Sequence, residues 1–407
     1  MRMKYTTLLL ASATIAIAVS SCRKGCTDPA ATNYDEKAKK DNNSCEYDTT
    51  DDGAYTIPTT YVFEDADGNS TVSFSGQQQR LDMLSEMSTY MKTANTQGTF
   101  VDAQQLKDMY ANNGYTWTDA NGLGLTGSTK QLKSKTAYAT AGGSADAGVQ
   151  LMFEMYMDSL DIISDYNQVG SAGTAGVWPD DGAKGPYLMD ANGVEYMQLV
   201  EKGLMSAVFT SQITVQYLGL VPNDDNATIV SGKNYTDMQH HWDEAYGYFT
   251  SSVDFPTSGT DRFWGKYADG RESVIQSSTK ISTAFRTGRA AIDNFDYTTR
   301  DAQIVIIRDE MEKLAAAAAI HYLNDAKDYI SSGNATARNH VLSEAWAFLD
   351  GMRYGYNAIS GTGMTATQID AALAHFNDFN TVGVTGINLA IDAIAAETGL
   401  DGVKNDL

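Results

Sequence analysis

The ten residues His240-His-Trp-Asp-Glu-Ala-Tyr-Gly-Tyr-Phe249 recur as His340-Val-Leu-Ser-Glu-Ala-Trp-Ala-Phe-Leu349. Both copies begin with histidine, continue after three residues with Glu-Ala, and end with alternating aromatic and small residues before an apolar one. The chain has only five histidines, and two of them begin these segments. The recurrence predicts that one helical unit has been used twice. It also places a histidine and a glutamate at the same position in each unit.

Apolar residues at spacings of three and four surround both motifs and predict a mainly α-helical protein. The predicted helices cover residues 77–92, 103–111, 149–163, 194–218, 277–295, 302–326, 338–352, 367–376 and 386–397. Segments 112–145 and 171–190 are rich in glycine and are predicted to be long loops. Residues 56–63 and 71–74 alternate in polarity around a turn at 64–69, which predicts a short β-hairpin.

These patterns predict four parts along the chain. Residues 1–21 form a signal peptide, and residues 22–60 form a lipidated tether with a disulfide loop. Residues 61–270 form an N-terminal helical bundle that includes the short hairpin, and residues 271–407 form a C-terminal helical bundle. The predicted fold is therefore mainly α, with two related helical bundles that arose by internal duplication.

The N-terminus is typical of an exported protein. Arg2 and Lys4 precede an apolar run over residues 8–19, which is too short to span a membrane. Small residues then lead into Cys22, and this pattern resembles the lipobox of bacterial lipoproteins. The resemblance implies that Cys22 is acylated and anchors the protein in the cell envelope, on the outer membrane. An ordinary cleaved signal peptide is the alternative.

Two cysteines remain after export, Cys26 and Cys45. In an oxidising compartment we expect them to form one disulfide around a short polar loop. The surrounding residues 25–34 and 41–47 resemble a small cysteine-bounded spacer that is common in exported proteins of the Bacteroidetes.

The net charge of −22 bears on the class of partner. Nucleic acid is not expected as a partner, because no basic stripe offsets repulsion by the phosphates. An acidic surface suits a protein that binds cations, or one that is simply well solvated after export.

Two histidine–glutamate pairs, His240 with Glu244 and His340 with Glu344, are the candidate metal ligands. Residues four apart on a helix are neighbours, and imidazole nitrogen with carboxylate oxygen suits Fe or Zn. Further candidate ligands are Glu201, Glu312, His241 and His321. An ordinary intrahelical ion pair, worth a few tenths of a kcal/mol, gives the same pattern. Both interpretations stay open at this point.

Small residues follow each pair along the same line of the helix. The two lines are His240, Glu244, Gly247, Ser251 and His340, Glu344, Ala347, Gly351. Small side chains allow the backbone of a neighbouring helix to come close. We therefore expect each pair at a helix–helix contact and not in open water.

Enzymatic motifs give little support for a catalytic function. The sequence has no Gly-x-Ser-x-Gly elbow, no His-Glu-x-x-His and no phosphate-binding loop in the required context. The 23 tyrosines could line a sugar-binding platform, but tyrosine also packs well in mixed cores. A non-enzymatic role is the expectation.

Several stretches resemble a Bacteroidetes lipoprotein family, the domain of unknown function numbered 4856. They are residues 74–83, 194–203, 240–249 and 285–293. The resemblance covers residues 55–400 and implies no particular activity.

The segment His241-Trp-Asp-Glu244 is also similar to part of the Gly-x-His-x-x-Glu motif of imelysin-like proteins, which are exported helical proteins linked to iron uptake. Gln239 stands where that motif has glycine, and the second copy has Glu344 four residues after His340. The likeness implies two helical bundles and a metal ion or a chelate such as haem as ligand, delivered to a metal-uptake transporter. The alternative is a ligand-binding or scaffold lipoprotein in which the His/Glu pairs are structural.

Overall fold

The computed structural model describes residues 23–25, 33–35, 37–38, 40–41, 55–256 and 261–407. The chain divides into two compact units, Met1–Ala54 and Tyr55–Leu407. In the first unit, strands β1 (Lys24–Gly25) and β2 (Lys40–Asp41) pair in parallel. The predicted signal peptide, the lipidated Cys22 and the disulfide between Cys26 and Cys45 lie outside the described residues.

The second unit is mainly helical, with a helical content of 59%, compared with about a third in average globular proteins. The helices are α1 (Ser75–Lys92), α2 (Ala103–Ala111), α3 (Ala147–Asp165), α4 (Tyr196–Leu204), α5 (Leu218–Leu220), α6 (Asp237–Phe249), α7 (Phe263–Gly270), α8 (Glu272–Ile275), α9 (Ser277–Asp293), α10 (Tyr297–Ser332), α11 (Ala335–Gly351), α12 (Tyr356–Ser360), α13 (Ala366–Leu373) and α14 (Val384–Thr398). The predicted mainly α class is confirmed. Every predicted helix overlaps an observed one, whereas α7, α8 and α12 were not predicted.

Capping residues explain where the long helices begin and end. Helix α10 begins after Asp296, whose side chain accepts a hydrogen bond from the backbone N–H of Thr299, and it ends at Gly333 with φ of 78°. Helix α6 begins with a capping box, because Thr236 and Gln239 exchange hydrogen bonds between side chain and backbone. The first motif therefore lies on a helix whose start is locally specified.

The hairpin predicted around residues 64–69 is present only in minimal form. Glu64 and Ser70 form a single antiparallel bridge, and the backbone N–H of Thr71 donates to the carbonyl of Phe63 over 2.9 Å. The pairing does not extend further back, because the N–H of Tyr61 donates to the carbonyl of Val253. A longer antiparallel hairpin, which was not predicted, forms within the predicted loop 171–190. Its strands are β3 (Gly176–Trp178) and β4 (Tyr187–Met189).

Helix α4 continues as one 28-residue helix, Tyr196–Asn223, which includes π-helical turns at Met205–Thr210 and Gln212–Tyr217. Among the described residues it is the one helix long and apolar enough to cross a membrane, and 89% of its apolar window is buried within the protein. Its burial agrees with the prediction of a central, almost uniformly apolar helix.

Outside groups donate hydrogen bonds to carbonyls of this helix. The donors are the Trp264 indole to Met205, the Ala137 backbone to Ala207 and the Arg308 guanidinium to Thr214. External donors of this kind locally disturb the helical ladder.

One contiguous hydrophobic core runs through the second unit, and α11 packs against both α4 and α10. The boundary predicted near residue 270 falls inside this compact unit.

Candidate functional site

A buried carboxylate fixes the orientation of the first motif helix, α6. Asp243 is fully buried and accepts hydrogen bonds from the Tyr61 hydroxyl at 2.8 Å, the Ser73 backbone N–H at 3.1 Å and Arg289 Nε at 3.1 Å. Burial raises the pKa of Asp243 to about 6, although Arg289 acts in the opposite direction. These contacts hold α6 against α9 and against the segment before α1.

Ser343 occupies the corresponding position in the second motif helix, α11. Its Oγ accepts a hydrogen bond from the Glu195 backbone N–H at 3.0 Å and donates one to the Asn339 carbonyl at 2.8 Å. In each motif, the residue immediately before the glutamate therefore accepts a hydrogen bond from a backbone N–H group. That N–H group belongs to a residue that lies just before another helix. That helix is α1 for the first motif and α4 for the second.

The small residues of the two motifs meet those same helices. A Cβ at Gly247 would come too close to Phe74, at the start of α1. A Cβ at Gly351 would come too close to Ser206, in the helix that continues α4. The expectation that both lines lie at helix–helix contacts is therefore confirmed.

The first pair is partly exposed. His240 Nε2 lies 3.9 Å from Glu244 Oε2, and 30% of the His240 side chain is exposed. The imidazole stacks on Tyr235 with ring centroids 4.7 Å apart. Glu244 Oε1 accepts hydrogen bonds from Gln77 Nε2 at 2.8 Å and the Tyr217 hydroxyl at 3.2 Å. Burial lowers the pKa of His240 below its ordinary value, and Glu244 offsets part of this effect.

The second pair is more deeply buried and has an additional partner. His340 Nδ1 lies 2.6 Å from Glu195 Oε2, while Nε2 lies 3.4 Å from Glu344 Oε2. The imidazole stacks on Tyr187 with centroids 4.1 Å apart and planes 3° apart. Burial acts to lower the pKa of His340, but Glu195 and Glu344 outweigh it and raise the pKa above its ordinary value. The arrangement favours an imidazolium held between two carboxylates.

Lys202 extends this arrangement into a buried ionic network. Its Nζ lies 3.6 Å from Glu344 Oε1 and 2.5 Å from Glu201 Oε1, and Lys92 Nζ lies 3.6 Å from Glu201 Oε2. Burial acts to raise the pKa of Glu201, but Lys202 and Lys92 outweigh it and lower the pKa to about 2. Glu201 therefore reaches the His340 pair only through the Lys202 ammonium.

His241 and His321 have their own carboxylate partners. His241 Nδ1 lies 2.8 Å from Asp224 Oδ2. Burial acts to lower the pKa of His241, but the hydrogen bond and the charge of Asp224 outweigh burial and raise the pKa above its ordinary value. His321 Nε2 lies 3.9 Å from Asp325 Oδ2, in an open groove beside the C-terminal residues. His241 is adjacent to His240, with ring centroids 6.2 Å apart, but the two imidazoles do not share a carboxylate within 4.0 Å.

Glu312 is bound to a loop and, among the described residues, forms no hydrogen bond or ion pair with either motif pair. Its carboxylate accepts hydrogen bonds from Asn357 Nδ2 and from the backbone N–H of Met364, each at 2.8 Å. In the parts of the chain that the structure describes, no three or more His, Cys, Asp or Glu side chains surround one metal position. The first motif presents a His/Glu pair, whereas the second pair lies in an ionic network with Glu195 and Lys202.

Two residues of the buried ionic network around His340 were not predicted as site residues. They are Glu195 and Lys202. Glu195 lies 145 positions before His340. It stands one residue before α4, and no spacing in the sequence connects it to α11. In the sequence, Lys202 is a charged residue within an apolar helix. Its partner Glu344 can be identified only from the packing of α4 against α11.

Residues 58–399 match a family described as a domain of unknown function, DUF4856. The chain belongs to the DUF4856 family. Comparison of this DUF4856 chain with curated proteins and with solved structures gave no match. The family resemblance predicted from residues 74–83, 194–203, 240–249 and 285–293 is confirmed. The likeness to imelysin-like proteins stays a prediction.

Proposed function

We propose that this DUF4856 protein is a lipid-anchored exported protein that binds a metal ion, Fe or Zn, through His240 and Glu244. The observation that carries the proposal is that Gln77 and Tyr217 bind one oxygen of Glu244 and leave the other, Oε2, 3.9 Å from His240 Nε2 at a partly exposed position. A metal held at about 2.0–2.2 Å from each ligand atom spans up to roughly 4 Å. The pair therefore needs little movement to accept an ion.

The surroundings of Glu244 also favour a cation from solution. Among the described residues, no Lys or Arg nitrogen lies within 4.0 Å of its carboxylate. Its neighbours are the neutral Gln77 and Tyr217, which orient one oxygen and leave the other facing His240. The lowered pKa of His240 supports the neutral imidazole that metals require. Two protein ligands would leave coordination positions for water or for a chelate.

We propose further that α6 and α11 descend from one duplicated unit. Four shared features support this proposal. Both helices carry the repeated motif, and a tyrosine stacks on the histidine of each copy. Each copy also has a small residue against a neighbouring helix, and a side chain that accepts a hydrogen bond from a backbone N–H group just before that helix. The copies differ in the groups that face the glutamate. Glu344 faces the Lys202 ammonium, whereas Glu244 faces only neutral donors besides its histidine. The second copy would then be structural, with lysine in place of an external cation.

A second candidate function is a non-enzymatic ligand-binding or scaffold lipoprotein in which both pairs are structural. The specific observation in its favour is the His340 network, where each charged group has a partner of opposite charge. On this alternative, His240 and Glu244 form an intrahelical ion pair worth a few tenths of a kcal/mol.

Thermal unfolding of chelator-treated, detergent-solubilised protein separates the two candidates. Ligand that binds only the folded state raises the melting temperature, so Zn²⁺ or Fe²⁺ should stabilise the wild type but not His240→Ala. The matched control is His321→Ala. The His321–Asp325 pair has the same 3.9 Å separation and the same 30% exposure of the histidine, but in the described structure no side-chain donor orients the Asp325 carboxylate as Gln77 and Tyr217 orient Glu244. No stabilisation of the wild type, or equal loss in both variants, would favour the scaffold alternative.

The anchor is tested separately through Cys22. We expect the wild type to fractionate with membranes and Cys22→Ala to remain uncleaved or to become soluble. A Cys22→Ala variant that matures normally and still fractionates with membranes would contradict acylation at this residue.

A further inference from the structure

Helix α3 has a second apolar face that the described structure leaves largely uncovered. Leu151, Met155, Ile162 and Tyr166 are each between 51% and 58% exposed. They follow one another at intervals of four, seven and four residues, so they form one stripe along the helix, about 22 Å long. The residues of the opposite face are buried in the core, and they are Phe153, Met157, Leu160 and Ile163. The helix therefore packs through one apolar face and presents another to solvent.

The alignment of the exposed residues indicates a partner helix. Single exposed apolar side chains are common on proteins, whereas a contiguous apolar patch marks an interaction surface. Met155 and Ile162 are seven residues apart, and Leu151 and Tyr166 stand four residues before and after them. Spacings of four and seven keep side chains on the seam between two paired helices. The stripe thus has the shape of a seat for one helix that lies along α3.

The border of the stripe is acidic. Helix α3 contains four carboxylates and no Lys, Arg or His. The carboxylates follow at intervals of four, three and four residues, so they form a line directly beside the stripe: Glu154, Asp158, Asp161 and Asp165. Lysines from neighbouring segments pair with only two of them, Glu154 and Asp158. Asp165 is exposed and has no hydrogen bond or ion pair among the described residues. The line therefore keeps an excess of negative charge for a partner to neutralise.

We propose that this face binds a basic amphipathic helix of another protein. The apolar side chains of that helix would cover the stripe on α3, and its Lys or Arg side chains would pair with the line of carboxylates. A second copy of this chain is a poor match, because pairing of α3 with itself brings two acidic helices together. A lipid surface is also a poor match, because helices that lie on membranes carry Lys and Arg on their polar face. None of the candidate metal ligands lies on α3, so this surface is separate from the metal pair.

Fluorescence anisotropy with a labelled peptide tests the proposal. The probe is a peptide of three heptads with Leu at positions a and d and Lys at positions e and g. The full chain is reconstituted in phosphatidylcholine nanodiscs, and empty nanodiscs report binding of the peptide to lipid. The matched peptide has Glu in place of Lys. We expect the basic peptide to bind the protein at least tenfold more tightly than the acidic one. No binding of the basic peptide, or equal binding of both, would overturn the proposal.

Variants then locate the surface on α3. Met155→Gln combined with Ile162→Gln should weaken binding of the basic peptide at least tenfold, and Asp165→Lys should weaken it several-fold. All three residues are exposed, so the circular dichroism spectrum should not change. The controls are Leu389→Gln, at an apolar residue that is 48% exposed on α14, and Asp328→Lys, at an exposed carboxylate on α10. Unchanged binding in the α3 variants, or an equal loss in the controls, would refute the assignment.

Two other measurements identify a different occupant. Sedimentation velocity that shows self-association of the detergent-solubilised wild type, lost in the Met155→Gln and Ile162→Gln double variant, would assign the stripe to a second copy. A tryptophan introduced by Ile162→Trp that is quenched by brominated phosphatidylcholine in the nanodisc would assign the stripe to the membrane. Either result would overturn the proposal. The peptide assay requires no metal, so its failure is distinguishable from failure of the metal site.

Discussion

Replacement of Lys202 by Met is expected to destabilise the protein strongly. Lys202 is buried between Glu201 at 2.5 Å and Glu344 at 3.6 Å. Met keeps most of the side-chain volume but removes the ammonium, so the buried cluster gains one uncompensated negative charge. Removal of one partner from a buried ion pair costs about 3–5 kcal/mol. Because Lys92 and His340 still face the two carboxylates, we expect the lower half of that range.

A second substitution, Glu344→Gln, is expected to restore part of the stability lost in Lys202→Met, because it restores the balance of charges in the buried network. Lys202→Met combined with Glu344→Gln removes one positive and one negative charge, so Glu195 and Glu201 remain balanced by His340 and Lys92. The double variant should therefore lose less stability than the sum of the single variants, with a coupling of at least about 1 kcal/mol. Urea denaturation followed by circular dichroism measures these differences.

Lys107→Met provides the matched control, because Lys107 forms a surface ion pair with Asp158 at 2.5 Å. Surface pairs contribute about 0–1 kcal/mol, so this variant should stay close to the wild type. The reasoning fails if Lys202→Met is as mild as Lys107→Met, or if the effects of Lys202→Met and Glu344→Gln simply add.

Two further predictions concern packing and acid stability. Gly288→Ala should cost about 1–3 kcal/mol, because its Cβ would collide with the buried Trp242 ring, whereas Gly270→Ala meets nothing within 4 Å and should be neutral or slightly stabilising. Urea midpoints of the two variants check this, and equal midpoints would contradict the packing argument. Because the pKa of Glu201 is lowered to about 2, its contribution is present above pH 4.5 and is lost as the pH falls towards 2. Between pH 5 and pH 3 the wild type should lose roughly 2 kcal/mol more than Glu201→Gln, and parallel pH profiles of the two proteins would refute the pairing with Lys202.

The helices could be predicted from the sequence because their apolar periodicity is local. The boundaries of α2 were predicted without error, and α10 was found but underestimated at both ends. The predicted hairpin is reduced to one antiparallel bridge between Glu64 and Ser70, because residues 56–63 alternate in polarity but are bound by other elements. The N–H of Tyr61 pairs with Val253 and its hydroxyl with Asp243, contacts that lie far away in sequence.

The candidate site was also predictable only in part, because some of its contacts join residues that are far apart in the sequence. Spacing along one helix brings His240 to Glu244 and His340 to Glu344, and the structure contains both pairs. The difference between the pairs depends on α4, which presents Lys202 to the second glutamate. Contacts between distant helices are set by packing, and neither motif contains information about them. The π-helical turns were likewise unpredicted, because donors from other segments bind that helix.

The stoichiometry of metal binding decides whether His240 and Glu244 form the metal site and whether the second pair binds none. Equilibrium dialysis of detergent-solubilised protein against Zn²⁺, followed by elemental analysis, counts the ions retained by each chain. We expect one ion in the wild type, one in His321→Ala and none in His240→Ala. Two ions per chain would contradict the proposal that Lys202 has made the second copy structural. No retained ion in the wild type, or one ion retained by His240→Ala, would contradict metal binding through His240 and Glu244.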